Sequence, residues 1–132
     1  MTDRPFGDVR ESGQLRGRLV VHHQFRWMVL PGGSVIDFAR YKLLRRLLAV
    51  LADARVQRPG EPLAAADLVA AGWPDERILP RAARNRVHVA LSRLRRLGLD
   101  TWLVHVPDGW LLASSLSVEI SEAPIPPAGS ST

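Results

Sequence analysis

The chain has 132 residues, 46% apolar and 23% charged, with a formal net charge of +5 and no cysteine. That length supports one modest core, and without cysteine neither a disulfide framework nor a thiolate zinc site is available. The N-terminus has no apolar stretch of secretory-signal type and the longest apolar run, Leu43 to Ala54, is broken by Arg45 and Arg46, so a soluble, cytoplasmic chain without membrane contact is expected.

Residues 1–17 are polar, glycine-containing and aperiodic, and read as a flexible N-terminal arm. From Leu19 the chain becomes rich in β-branched and aromatic residues. Pro31-Gly32-Gly33-Ser34 is a strong turn signal. This predicts short antiparallel strands at Leu19–His23, Arg26–Leu30 and Val35–Asp37. His22 and His23 have neither cysteine nor an acid at ligand spacing, so they read as ordinary strand residues and no metal site is expected.

Tyr41, Leu44, Leu47, Leu48 and Leu51 form one stripe at helical spacing, with Lys42, Arg45, Arg46 and Asp53 outside it. A first helix over Arg40–Ala54 follows, its broad apolar face serving as the floor of the core. The run from Gln57 to Pro62 breaks it. A short second helix spans Leu63–Ala71, with Leu68 and Val69 as core residues and Gly72 in the place of a left-handed C′ glycine. Trp73 reads as a buried anchor of the following turn.

The stretch Leu79–Leu97 carries two patterns at once. Ala83, Val87, Ala90, Leu91, Leu94 and Leu97 recur at steps of three and four, the spacing of a buried helix face. Arg81, Asn85, His88, Ser92 and Arg96 lie opposite, with Arg84 and Arg95 flanking them. Six arginines and no acid fall between Arg81 and Arg96. Residues 73–98 hold a net +5, whereas residues 99–132 hold −4. Such a concentration is the electrostatic footprint expected for a polyanion partner, and arginine and amide groups on one helix face suit a nucleic-acid groove. Taken alone, the same stretch also reads as a solvated amphipathic helix.

Gly98 is a helix stop. Thr101–Val106 and Trp110–Ala113 then read as two strands of a hairpin closed by Pro107-Asp108-Gly109. Residues 114–132 are rich in serine and proline and read as a mostly disordered tail, although Leu116–Ile120 alternates and offers an edge strand. The expected division is thus an arm (1–17), one folded domain (18–113) and a tail (114–132).

Strands, three helices of which the last is basic, then a β-hairpin is the order of a winged helix-turn-helix. The run Val87-His88-Val89-Ala90-Leu91-Ser92-Arg93-Leu94-Arg95-Arg96-Leu97, with a hairpin ending Asp108-Gly109-Trp110-Leu111-Leu112, resembles the effector domain of bacterial OmpR/PhoB-type transcriptional regulators. That family's third helix typically alternates valine, valine, isoleucine before leucine-arginine, and its wing typically ends glycine-tyrosine-leucine. Leu43-Leu44 through Leu47-Leu48 and the segment Leu68 to Trp73 match its first helix and its leucine-to-tryptophan turn. The resemblance covers about Leu19 to Ala113. It implies an α+β fold with a short N-terminal antiparallel sheet, a three-helix core and a C-terminal β-hairpin wing.

The resemblance further implies a double-stranded DNA-binding transcriptional regulator, associated with the nucleoid through DNA, whose third helix enters the major groove. By position, Arg81, Arg84, Asn85, His88 and Ser92 face the groove and Arg95 and Arg96 lie nearer the backbone. Arg84 and Asn85 are the better base readers, since arginine pairs bidentately with guanine and asparagine with adenine. Arg93 points away and reads as half of an ion pair inside the domain. Candidate partners are double-stranded DNA, RNA polymerase or a separate signalling protein, and a second copy as a homodimer on DNA; no cofactor is implied.

Two features depart from the family. Thr101–Ala113 contains no Lys or Arg and carries Asp108 at its tip, and no phosphoacceptor receiver domain is expected within these 132 residues. The competing reading is a winged-helix module that binds protein without DNA. Enzymatic activity is not expected: no glycine-rich phosphate loop, nucleophile constellation or facing carboxylate pair is legible.

Overall fold

In the computed structural model, which describes residues 16–126, the chain forms an α+β winged-helix domain with a mixed sheet and three helices. β1 (Gly17–His22), β2 (Trp27–Val29) and β3 (Val35–Asp37) are followed by α1 (Lys42–Gln57), α2 (Ala65–Gly72) and α3 (Pro80–Leu94). A π-type turn (Arg95–Leu99) leads to the hairpin β4 (Leu103–Val106) and β5 (Gly109–Leu112), and β6 (Leu116–Ser121) closes the order.

The sheet runs β3-β2-β1-β6. β1, β2 and β3 pair antiparallel as expected, with Val21 opposite Met28 and Met28 opposite Ile36. Alternation then sends Leu19, Val21 and Met28, all fully buried, toward the helices. Val20, Trp27 and Val29 form a separate apolar cluster on the other face.

The fourth strand corrects one expectation and takes up another. Leu116–Ser121 forms the edge strand that its alternation offered, and it pairs parallel with β1 from Gly17–Leu116 to His22–Ser121, so the sheet is mixed rather than antiparallel. The reason is physical: β2 satisfies one side of β1 and leaves its other row of N–H and C=O groups open. Arg55 of α1 steers the chain there, donating from Nε to the Ala113 carbonyl at 3.3 Å and from Nη2 to that of Ser114 at 2.9 Å. Leu116 then plugs into the core, fully buried. The arm expected at 1–17 lies outside the described residues up to position 15, as does the tail beyond position 126, and Gly17 already belongs to β1.

The leucine stripe of α1 becomes the floor of the core, with Leu44, Leu47, Leu48 and Leu51 at most 2% exposed. Burying a leucine side chain is worth about 1.5–3 kcal/mol, so this stripe dominates the packing. Val87, Ala90, Leu91 and Leu94 of α3 meet it from the other side. α2 is fastened at its start by Asp67, whose carboxylate accepts the Ala64 N–H at 3.0 Å, one half of a capping box. Its end differs from expectation. Gly72 is the last helical residue, not a left-handed C′ residue, and a Cβ there would stand 2.9 Å from Leu43 Cδ1 and 3.2 Å from Leu47 Cδ2. Close approach of α1 side chains, not turn geometry, is what a larger residue there would meet.

Gly98 does serve as the helix stop, at φ +134°, with Leu30 packed where a Cβ would be. α3 ends at Leu94, three residues earlier than its periodicity implies, because Arg95–Leu99 widens into the π-type turn. The hairpin closes through Pro107-Asp108, and Leu63 exchanges both backbone hydrogen bonds with Trp110 at 2.8 and 3.0 Å. The wing is thereby tied to the segment before α2.

Candidate nucleic-acid interface

α3 starts from Leu79, with Pro80 at N1, where the missing N–H costs nothing and the fixed φ suits a first turn. Its apolar stripe is buried, so the opposite face is turned outward by helix geometry alone. Arg81, Arg84, Asn85, His88, Ser92 and Arg96 are all exposed. No acid lies between Pro80 and Leu99. Among the described residues, the side chains of Arg81, Arg84, Asn85, Ser92 and Arg96 have no hydrogen-bond partner, which leaves their donors available.

Arg95 differs from the other sequence-chosen residues. It is half-buried, and its Nε and Nη2 donate to the Leu103 carbonyl at 3.2 and 3.0 Å. It fastens the end of α3 to the start of the wing. Arg86 also has a partner, donating from Nη1 to Glu76 Oε1 at 2.8 Å across the α2–α3 connection. Arg93 is exposed and makes no ion pair with another described residue, so the intradomain bridge expected for it is not formed there.

His88 is exposed yet lies against the wing. Its ring centroid is 5.2 Å from that of His105 and 5.0 Å from that of Trp110, edge-on to both. His105 and Trp110 are cross-strand partners, stacked at 4.5 Å and 9°. Sequence reasoning missed the roles of His105 and Trp110. The signal was present, since the Asp108-Gly109 turn puts those two positions opposite each other.

Behind the exposed face, α2, the connection after it and α3 enclose an open cleft of about 540 Å³. Val69, Trp73, Ile78 and Ala83 make it apolar and Arg84 stands at its rim. Trp73 is half-buried, an anchor that also forms part of this wall, and Leu79 beside it is 78% exposed.

His22 is buried in β1 with its ring 4.5 Å from that of His23 and 5.7 Å from that of Trp27. Burial holds its pKa below the ordinary histidine value, with His23, Arg26 and Arg45 adding to the effect. Its Nδ1 accepts the Gln24 N–H at 3.1 Å, which also favours the neutral ring. No helix among the described residues is long and apolar enough to cross a membrane.

No model of a known protein family matches the chain, and no curated protein does. Among solved structures it is similar to the DNA-binding domain of E. coli CadC, at 19% identity and a TM-score of 0.45, over 74% of this chain and 92% of that one. A likeness at that level assigns neither family nor function.

Proposed function

We propose that this chain binds double-stranded DNA through α3, inserted in the major groove, and acts as a transcriptional regulator of the OmpR/PhoB type. The observation that carries the reading is the acid-free outer face of α3 and its C-terminal extension, with Arg81, Arg84, Asn85, Ser92 and Arg96 exposed and their side chains without a hydrogen-bond partner among the described residues, over a buried opposite stripe. Arginine and asparagine on one helix face carry the donors that pair with guanine and adenine edges. Arg81 and Arg96, at opposite ends of that face, would meet phosphates on either side of the groove. Arg95 keeps donors beyond the two held by Leu103, and its role is chiefly to hold the wing.

The test is a salt titration of DNA binding by fluorescence anisotropy. A groove binder loses affinity steeply with salt, by about 0.9 in log–log slope for each phosphate neutralised. Sequences selected from a random DNA pool would give the site, and any repeated half-site spacing would reveal a homodimer. An absence of binding at about 50 mM salt would overturn the proposal.

One observation favours a second reading, a protein-binding winged helix. The open cleft lined by Val69, Trp73, Ile78 and Ala83 is an apolar surface that a protein segment would cover. On that reading Trp73→Ala abolishes partner binding, and Arg84→Ala with Asn85→Ala leaves DNA binding negligible in both chains.

A further inference from the structure

We propose that His88 is a positioning residue that fixes the wing against α3, rather than a reader of bases; the inference rests on the DNA-binding reading above. Trp110 is the fixed point. It is 4% exposed, joined to Leu63 by two backbone hydrogen bonds, and its neighbour Gly109 sits so close to Leu63 that a Cβ would fall 2.0 Å from the Leu63 oxygen. His105 stacks on Trp110 from the solvent side, and His88 abuts the edges of both rings. Edge-on contact is the favoured arrangement for such rings, because a positive edge meets a negative face.

The wing therefore has two ties to α3. Arg95 holds β4 at Leu103, and His88 holds it at His105. Arg95 follows His88 by seven positions, about 10 Å along the helix axis, so the two ties hold β4 at two separate points. With Trp110 already held by Leu63 and Leu103 by Arg95, what His88 adds is the tie on the outer half of β4, at the exposed His105.

This matters because the wing has no lysine or arginine with which to attract DNA. What it contributes is where it stands. Loss of the His88 tie would let the tip, with the Asp108 carboxylate, sample the path by which phosphates approach α3. Repulsion of that kind is blind to sequence, whereas loss of a base contact changes preference at one base pair.

The experiment compares the full chain with His88→Ala and His88→Phe, the second of which keeps an aromatic edge but offers no imidazole nitrogen to a base. DNA affinity is measured on the selected site and its single-base-pair variants. The Trp110 indole resonance and the amide exchange of β4 and β5 are followed by NMR without DNA. His88→Ala should weaken binding roughly three- to tenfold, the scale of an aromatic pair, equally for every variant site, while moving the Trp110 resonance and speeding wing exchange. His88→Phe should restore all three. A changed base preference with an unmoved Trp110 resonance, or a His88→Phe chain as weak as His88→Ala, overturns the proposal. Should the full chain bind no DNA, the DNA reading fails by itself, and the NMR measurements still decide whether His88 holds the wing.

Discussion

α1 and α3 both carry arginines outside their apolar stripes, and the two sets do opposite things. On α1, Arg45 donates to the Gln24 carbonyl at 2.9 Å, Arg46 to that of Gly72 at 3.3 Å, and Arg55 to those of Ala113 and Ser114. Each ties a turn or a helix end to the helix beneath it. On α3, Arg86 pairs with Glu76, but Arg81 and Arg84, and Arg96 just beyond the helix, face outward with no such partner among the described residues. The difference lies in what surrounds each helix. α1 crosses the domain and passes open carbonyls at chain reversals, while the outer face of α3 meets the wing only at His88 among the described residues. A charge that satisfies backbone carbonyls of the same domain holds the fold, and one that meets only solvent is available to a partner.

The largest effect should separate the two sets cleanly. Replacing both Arg84 and Asn85 with alanine removes two candidate base contacts, each worth about 1–3 kcal/mol of discrimination. DNA affinity should fall by at least tenfold and sequence preference should relax at the matching positions. Thermal stability should stay within about 0.5 kcal/mol, as for surface changes away from packed features. Calorimetry alongside anisotropy checks both halves, and a large loss of stability would show that these residues belong to the same class as those of α1.

Arg55→Ala should give the reverse pattern. Removing hydrogen bonds from a charged donor to the Ala113 and Ser114 carbonyls should cost about 1.5–3 kcal/mol of stability in denaturant unfolding. The amides of β6 should exchange faster, since Arg55 guides that strand to its place beside β1. DNA affinity should not change once the protein is folded. Equal protection of β6 in the variant would mean that the pairing with β1 holds the strand unaided.

This contrast also explains what could be read from the sequence and what could not. Helices α1 and α3 were legible because their stripes repeat at 3.6-residue spacing, and the wing because Asp108-Gly109 sits between two apolar runs. Periodicity also placed Arg81, Arg84, Asn85 and Ser92 on an outward face. It could not say that Arg95 meets the Leu103 carbonyl, because that contact depends on how the π-type turn at Arg95–Leu99 brings the wing back. Nor could it join Leu116–Ser121 to β1, a pairing across about a hundred residues that has no local signature. Gly72 was singled out for the wrong reason, since a left-handed turn and a close approach of α1 side chains both favour glycine.

The smallest effect concerns acid, and it brings the α1 arginines into the energetics of the sheet. His22 is held neutral by burial first, then by the charges of His23, Arg26 and Arg45, so its pKa in the folded chain lies below the ordinary value of 6.5. The unfolded chain takes up the proton at the ordinary pKa, before the folded chain does. The stabilising contribution of the neutral ring is therefore complete above about pH 6.5 and is lost as pH falls through the lowered folded value, below which the loss levels off. His22→Gln, which keeps a polar side chain that does not titrate, should flatten the slope of stability against pH in that window. Arg45→Ala should reduce the slope less, because the arginine is the last and smallest of the four causes. Denaturant unfolding across pH 4.5–7.5, about two units to one side of the histidine range and one to the other, reads both slopes. An unchanged slope in the His22→Gln chain would move the acid sensitivity to another group and leave Arg45 with the single role of holding the Gln24 carbonyl.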